Sequence, residues 1–248
     1  MTLQQFFEEN RRVALAFSGG VDSAYLLYAA KTYGAEMKAY YVKTPFQPAF
    51  EYADAVRLAR ELNAEMCTLP LDVLSDSSIA ENPKNRCYFC KKRIFSAILE
   101  QAKADGYTCI IDGTNASDDA TDRPGMVALQ ELSVRSPLRE VGLTKAEIRR
   151  LSKEAGLFTH DKPAYACLAT RIPTGTPITA EKLAMTERNE GFLRQLGFSD
   201  FRIRWMGTAA KLQISEKQIP LLLANRVKVL EQLKKDYTEV LLDLEVRR

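Results

Sequence analysis

The sequence lacks the features that mark membrane, secreted and nucleic-acid-binding proteins. None of its segments approaches the roughly 20 consecutive apolar residues that a membrane helix needs, and the first residues, MTLQQFFEENRR, are unlike a signal peptide. The 35 basic and 32 acidic residues are interspersed and leave a net charge of +3, which indicates no surface for nucleic acid. We therefore expect a cytoplasmic protein that binds no membrane and is not built for nucleic acid.

Histidine and cysteine are scarce. His160 is the only histidine, and the five cysteines are an odd number in a chain without an export signal. Reduced thiols, metal ligands or catalytic groups are therefore expected rather than a disulfide framework. The 248 residues are 46% hydrophobic and 27% charged, which is enough for one large or two modest domains, each with its own core.

The first part of the chain alternates predicted strands and helices. Such alternation is typical of a parallel sheet with helices on both faces, in which ligands bind beyond the carboxyl ends of the strands. Apolar runs and helical spacing predict strands at 12–17, 36–42, 65–71 and 107–111 and helices at 22–33, 49–62, 87–104 and 145–155.

The pattern changes after Gly156. Residues 157–178 are rich in Pro, Gly and Thr and have little periodicity, so we expect a linker or active-site loop there. A smaller α+β domain is predicted over 179–248, for binding substrate or forming oligomers, after a first domain at 1–156. Its predicted elements are a helix at 180–196, strands at 201–206 and 209–215, a helix from 216 to about 235 and a strand at 238–246.

A glycine-rich turn, SGGVDS, follows the first predicted strand. Adjacent glycines let the backbone approach an anion closely, and serine hydroxyls add donors. The turn has neither the GK[ST] ending of a Walker A sequence nor the GxGxxG spacing of a dinucleotide site. A simple capped turn is the alternative, but the position at a strand end favours a phosphate-binding loop. Its residues are Ser18, Gly19, Gly20, Val21, Asp22 and Ser23.

Three cysteines form a possible ligand set. Cys87 and Cys90, in NRCYFCKK at a predicted helix start, are three residues apart and can face the same way; such a pair can be half a zinc site, a redox pair or core residues. Cys167 lies on the predicted loop. Three thiolates suit a 4Fe-4S cluster, whereas structural zinc needs a fourth ligand, which His160 could supply. The other two cysteines lie in predicted strands and are expected to pack in the core: Cys67 and Cys109.

The motifs resemble a known superfamily. SGGVDS is similar to the PP-loop of the N-type ATP pyrophosphatases, whose fold is a HUP-like, Rossmann-like sheet. NRCYFCKKRIF, DGTNASDDATDRPG, VRSPLREVGLTKAEIR and DKPAYACLATRIPTGTPIT together resemble its LarE-like ATP-dependent sulfur transferases, and the resemblance covers nearly the whole chain. It implies that ATP and Mg²⁺ are bound, with Asp22 as a magnesium ligand. Asp112 of DGTN is a candidate for serving metal or nucleotide, and an ordinary cap or turn residue at a strand end is the alternative.

The resemblance also implies a reaction. LarE-like enzymes adenylate the carboxylates of pyridinium-3,5-biscarboxylic acid mononucleotide, release pyrophosphate, and form thiocarboxylates for the nickel-pincer nucleotide cofactor. Three-cysteine members carry a 4Fe-4S cluster, so Cys87, Cys90 and Cys167 are expected to hold one that carries sulfur catalytically. In other members the cysteine equivalent to Cys167 gives up its own sulfur, and sacrificial transfer from Cys167 is the alternative for this chain if no cluster is bound. We expect a homo-oligomer, and the sequence identifies no sulfide donor.

Further candidates are arginines and glutamates. Guanidinium groups match carboxylates and phosphates, and the paired Arg202 and Arg204, which share a strand face, resemble the arginines that the family turns toward the substrate nucleotide. For the family's acidic metal ligands we consider Glu187 and Glu190, although a solvated helix face is favoured for both. Gln213 stands where the family pattern leads us to expect an acidic residue. The other candidate arginines, for which an ordinary surface position is an equal alternative, are Arg123, Arg135 and Arg171.

Three other functions fit parts of the pattern. Some tRNA thiolases also join a PP-loop to a CxxC and a distant third cysteine, but the net charge of +3 supplies no basic surface for tRNA. Amide-forming ligases such as NAD or GMP synthetase have the loop without needing three cysteines. A non-catalytic nucleotide sensor or metal-storage protein is the third alternative, and the intact loop disfavours it.

Overall fold

The computed structural model describes residues 1–118 and 124–245, and only the backbone of Pro124. It divides the chain into two compact units. The first contains Met1–Val73 and Asn85–Lys162, and the second contains Leu74–Lys84 and the described residues from Pro163 onward.

These units differ from the predicted domains at two places. Residues 157–162 belong to the first unit, because Leu157 packs in its core and Arg149 donates hydrogen bonds to the carbonyls of His160 and Lys162, both at 2.7 Å. The segment 74–84 belongs to the second unit, where the Asn82 amide donates to the Pro173 carbonyl at 2.8 Å. Long-range contacts of this kind leave no trace in local periodicity.

The elements of the first unit follow the predicted alternation. In chain order, with one short helix that belongs to the second unit, they are α1 Leu3–Glu9, β1 Arg12–Ala16, α2 Val21–Thr32, β2 Glu36–Lys43, α3 Ala49–Glu61, β3 Glu65–Pro70, α4 Ser77–Ala80, α5 Arg86–Ala104, β4 Cys109–Ile111, α6 Pro124–Glu131, α7 Pro137–Glu140 and α8 Lys145–Glu154. No helix in the described parts of the chain is long and apolar enough to cross a membrane.

The first unit has a four-stranded parallel sheet in the order β3-β2-β1-β4. A bridge between Ile111 and Arg135 extends it beyond β4. The sheet is buried on both faces, as the apolar runs predicted. Successive residues of β2 show this, since Tyr40 packs in the cluster that contains Ile98 of α5, whereas Tyr41 packs in the cluster of α2, α3 and α8. The Rossmann-like fold class is therefore confirmed.

The second unit contains a three-stranded sheet in the order β5-β6-β7 and a long helix, α9. β5 and β6 are antiparallel, and β6 and β7 are parallel. Its elements after α4 are α9 Ala180–Gln195, β5 Arg202–Met206, β6 Ala209–Gln213, α10 Ile219–Ala224, α11 Arg226–Leu233 and β7 Val240–Leu242.

The prediction of one continuous helix from 216 to about 235 is wrong. A 3-10 turn at Glu216–Gln218 precedes α10, and α10 and α11 are separated at Asn225. Pro220 fits only the first turn of a helix, which fixes the start of α10. The Asn225 side chain donates to the Leu221 carbonyl at 3.0 Å, competing with the backbone bond that would continue the helix.

Candidate active site

The glycine-rich turn joins β1 to α2 at the carboxyl edge of the parallel sheet. Gly19 has a φ of +70°, and an added Cβ would lie 3.0 Å from the Cβ of Ala55, so both conformation and space require glycine. Gly20 is the N-cap residue of α2 and supplies no capping side chain. The first turn of α2 therefore presents backbone N–H groups of the kind that bind phosphate.

The serines of the turn contact each other. The Ser18 and Ser23 hydroxyls are 3.1 Å apart, and the Ser23 hydroxyl donates to the Gly20 carbonyl at 3.2 Å. These bonds fix the curvature of the turn.

The DGTN loop after β4 packs directly against the glycine-rich turn. A Cβ on Gly113 would lie 2.9 Å from the backbone nitrogen of Ser23, so the two loops touch through their backbones. Asp112 is buried, and its carboxylate accepts hydrogen bonds from the hydroxyls of Thr114 at 2.5 Å and Ser136 at 2.7 Å. In the structure Asp112, predicted to serve metal or nucleotide, organises the loop.

Two lysines lie beside the turn, which has none of its own. They are 123 and 143 residues beyond their partners in the sequence. Lys145, the first residue of α8, forms an ion pair with the Asp22 carboxylate. The Lys162 Nζ atom is 2.8 Å from Asp54 Oδ2 and 3.4 Å from the carbonyl oxygen of Gly19. Sequence reasoning missed both lysines as parts of this site.

Hydrogen bonds between loops place Lys145. Its backbone N–H donates to the Ser117 hydroxyl at 2.9 Å, and the Ala116 N–H donates to the Leu143 carbonyl at 2.9 Å. Burial raises the pKa of Asp22, and the neighbouring Lys145 opposes that rise. The single histidine contacts the backbone nearby: its ring nitrogen Nδ1 lies 3.1 Å from the Leu157 carbonyl oxygen.

Cys87 and Cys90 lie in the first turns of α5. Cys87 is exposed and Cys90 is half-buried, and their spacing of three residues places them on one side of the helix. The Arg86 Nη2 atom lies 3.7 Å from the Cys87 sulfur, which brings a positive charge beside that thiol. The N-cap residue, Asn85, makes no side-chain capping bond, so its side chain does not occupy the first backbone N–H groups of the helix.

Cys167 begins a short 3-10 helix, Leu168–Arg171, in the second unit. Its carbonyl accepts hydrogen bonds from the Thr170 N–H at 3.0 Å and the Thr170 hydroxyl at 2.8 Å. Arg171 Nη1 donates to the Ala166 carbonyl at 2.9 Å, immediately before the cysteine. The thiol is half-buried on an ordered turn.

Arg171 binds an internal carboxylate. Its Nε and Nη2 atoms donate to Glu190 at 2.8 and 3.0 Å, and Glu190 also accepts from the Tyr165 hydroxyl at 2.6 Å and the Ile203 N–H at 3.1 Å. The expectation that Glu190 is solvated is wrong. This residue of α9 is buried and contacts β5 and the turn that follows Cys167. With a guanidinium on both oxygens, Glu190 does not fit a metal site. Glu187, one turn earlier, is half-buried.

The paired arginines of β5 share one face of that strand. Arg202 is buried, and Arg204 Nη1 donates to the Thr170 carbonyl at 2.8 Å, three residues after Cys167. Arg204 Nε donates to Gln213 Oε1 at 2.6 Å. The neutral amide of Gln213 therefore acts as an acceptor for Arg204 where the family pattern leads us to expect an acid.

The structure does not place the two remaining candidate arginines, Arg123 and Arg135, in the site. The Arg135 guanidinium forms an ion pair with Glu140, donates to Asn10 Oδ1 at 3.4 Å and lies 4.5 Å from the ring centre of Phe6. Those contacts hold α1 against α7, so the structure shows a packing role for Arg135. Arg123 lies outside the described residues.

All five cysteines lie in the described residues and are free thiols. Cys67 and Cys109 are half-buried and each packs against a core cluster of the first unit, and burial raises the pKa of Cys109. Within residues 1–118 and 124–245, no group of three or more His, Cys, Asp or Glu side chains is close enough to hold a metal ion. The predicted cluster therefore stays a prediction.

Comparison with known proteins identifies the family. No family model matches the chain. An uncharacterized protein of Synechocystis sp. is 37% identical over 218 residues, which are 88% of this chain and 81% of the relative. The pyridinium-3,5-bisthiocarboxylic acid mononucleotide synthase of Lactiplantibacillus plantarum is 33% identical over 220 residues, 88% of this chain and 80% of the relative. The chain belongs to the LarE-like ATP-dependent sulfur transferases.

More distant relatives connect this sulfur transferase to the wider PP-loop superfamily. A tRNA-specific 2-thiouridylase of Pseudothermotoga lettingae is 26% identical over 197 residues. The match covers 61% of this chain and 54% of the relative, so the chain spans about half the length of that enzyme.

Proposed function

We propose that the enzyme acts in nickel-pincer nucleotide cofactor biosynthesis, converting the carboxylates of pyridinium-3,5-biscarboxylic acid mononucleotide to thiocarboxylates. The observation that carries this proposal is the uncapped glycine-rich turn between two lysines, in a chain 33% identical to a synthase of the bisthiocarboxylic acid product. The anion site accounts for the use of ATP, and the relative's product indicates the acceptor.

In the proposed first step, a substrate carboxylate oxygen attacks the α-phosphorus of ATP and pyrophosphate leaves. The turn from Ser18 to Ser23 holds the leaving pyrophosphate through backbone N–H groups and hydroxyls. Asp22 fits as a magnesium ligand, because Mg²⁺ takes one or two carboxylates and completes its shell with water and phosphate oxygens. Lys145 supplies a further positive charge beside Asp22.

In the second step, sulfide attacks the acyl carbon. A C–S bond forms while the C–O bond to AMP breaks, and AMP carries away the electron pair. We propose that Cys87, Cys90 and Cys167 hold a 4Fe-4S cluster, because three thiolates are the donor set that leaves one iron of such a cluster without a protein ligand. The cluster would carry the sulfur that is transferred.

Residues of the second unit serve the acceptor in this proposal. Arg202 and Arg204 recognise the nucleotide phosphate of the substrate, as guanidinium forks do. Arg171 does not bind substrate, and its contact with Ala166 positions the turn that carries Cys167. We also propose that the enzyme is a homo-oligomer and that it is cytoplasmic. Its free thiols are consistent with the second of these.

Anaerobic purification followed by assay tests the proposal. We expect iron and acid-labile sulfide in the isolated protein, and pyrophosphate release from ATP and Mg²⁺ only when the biscarboxylic acid mononucleotide is added. Zinc without iron would contradict the cluster assignment. Equal pyrophosphate release with and without the substrate would contradict the acceptor.

A tRNA thiolase is the second candidate, favoured by the thiouridylase relatives. Binding to bulk tRNA across a salt series separates the two, because binding through phosphates weakens steeply as salt rises. The net charge of +3 leads us to expect weak binding. Tight, salt-sensitive binding would favour the thiolase.

A further inference from the structure

Lys162 is a nearly buried cation beside a turn that lacks its own lysine. Only 13% of its side chain is exposed, and its Nζ atom is 3.4 Å from the Gly19 carbonyl oxygen. Its backbone is fixed as well, since Arg149 Nη2 donates to the Lys162 carbonyl at 2.7 Å. The ammonium group is thus held at the turn from both ends of the residue.

The contact with Gly19 bears on the anion site. The C=O of one residue and the N–H of the next point in opposite directions across a trans peptide. Fixing the Gly19 carbonyl therefore fixes the Gly20 N–H, which donates to the Ser18 hydroxyl oxygen at 3.4 Å. Lys162 helps to set the orientation of a peptide group in the turn.

In the structure the ammonium group of Lys162 forms an ion pair with Asp54. Its carboxylate lies 2.8 Å from the Lys162 Nζ atom, and Asp54 precedes Ala55, the residue that packs against Gly19. A carboxylate beside a phosphate loop repels a triphosphate, so Asp54 alone would oppose ATP binding. The lysine neutralises that carboxylate and has a stronger potential partner in a phosphate, which carries more charge.

We propose that Lys162 is a phosphate-binding residue whose ammonium group leaves Asp54 and contacts the pyrophosphate portion of ATP. It does for this turn what the lysine inside a Walker A sequence does for that loop. The inference rests on the proposed function in one respect, that ATP binds at the glycine-rich turn.

The test is the affinity for ATP, inorganic pyrophosphate and AMP, measured by calorimetry on the full chain. In Lys162→Met, which keeps the length of the side chain and removes its charge, we expect the Kd values for ATP and pyrophosphate to rise about tenfold. AMP, which has no pyrophosphate portion, should bind as in the wild type. Lys153→Met removes an exposed lysine of α8 and is the matched control, with no change expected.

Asp54→Asn supplies an independent arm. Removing the carboxylate that competes for Lys162 should lower the Kd for ATP, and this variant leaves Lys162 intact should Lys162→Met fold poorly. The double variant separates two roles: if Lys162 only neutralises Asp54, the double variant regains wild-type affinity, and if Lys162 contacts phosphate, binding stays weak.

Two results would overturn the inference. One is wild-type affinity for ATP and pyrophosphate in Lys162→Met, and the other is full recovery in the double variant. A wild-type protein that binds neither ATP nor pyrophosphate would instead contradict the proposed function, so the two failures are distinguishable.

Discussion

Arg171 and Glu190 form an ion pair inside the second unit, with Arg171 Nε 2.8 Å from Glu190 Oε1 and side-chain exposures of 0% and 1%. The same guanidinium donates to the Ala166 carbonyl, so the pair links α9 to the turn that carries Cys167. A charge pair this deep is tolerated because four hydrogen bonds satisfy the carboxylate. The position of the cysteine thus depends on one pair of charges.

Glu190→Gln should destabilise the second unit by about 3–5 kcal/mol, because it leaves the Arg171 charge buried without its partner. The single tryptophan, Trp205, reports on this unit, since its indole N–H donates to Thr186 of α9. Urea unfolding followed by tryptophan fluorescence measures the change. Arg188→Ala breaks the more exposed pair with Asp236 and should cost no more than about 1 kcal/mol. Equal losses in the two variants would contradict the assigned role of the buried pair.

Gly19→Ala should weaken ATP binding strongly, because the new Cβ would lie 3.0 Å from Ala55 and push the turn away from α3. Calorimetry with ATP and Mg²⁺ measures the effect. Gly142→Ala is the matched control: Gly142 has a φ of +76°, but an added Cβ there meets nothing within 4 Å. The control should lose only about 1–2 kcal/mol of stability and bind ATP normally. Normal ATP binding by Gly19→Ala would show that nucleotide binds elsewhere.

Alanine substitutions sort the five cysteines. Cys87→Ala, Cys90→Ala and Cys167→Ala should each abolish iron binding and leave ATP affinity unchanged, because the proposed nucleotide loop, Ser18 to Ser23, contains no cysteine. Cys67→Ala and Cys109→Ala should cost only packing, about 1 kcal/mol, and retain iron. Iron content after anaerobic purification and ATP calorimetry are the two measurements. Iron retained in Cys167→Ala would remove that residue from the ligand set.

Stability should fall in acid partly because of Asp105. Hydrogen bonds from Lys38 and Tyr40 lower the pKa of the Asp105 carboxyl from 3.8 to about 2. A lowered pKa stabilises the folded state fully above about pH 4, and that contribution is lost as pH falls from 4 toward 2. The unfolding midpoint of Asp105→Asn should therefore depend less on pH in that window. Asp161→Asn, at a side chain that is 80% exposed, should keep the wild-type pH profile.

Much of the first unit could be predicted because its signals are local. Strands buried on both faces appear as apolar runs such as VALA in β1, and Gly19 and Gly20 mark the turn that follows. Lys145 and Lys162, the two lysines that contact the turn, carried no such local signal. Lys145 was visible only as a residue after the N-cap Thr144, and its meeting with Asp22 results from the packing of α8 against α2.

The second unit was harder to predict because contacts between residues distant in the sequence decide much of its structure. Glu190 lies in the polar stretch TERNEG, where a solvated face is the expected environment. Its burial follows from Arg171, which is nineteen residues away and neutralises it. Local competition at Asn225 also decided where α10 ends, and the apolar spacing of that region did not reveal it.

Catalytic rather than sacrificial sulfur transfer is tested most directly by counting the thiocarboxylates formed per chain. Mass spectrometry measures that number together with the mass of the protein after turnover. The assay contains anaerobic enzyme, ATP, Mg²⁺, sulfide and the biscarboxylic acid mononucleotide. Catalytic transfer predicts several products per chain and an unchanged mass at Cys167. At most one product per chain, with Cys167 converted to dehydroalanine by loss of H₂S, would contradict it.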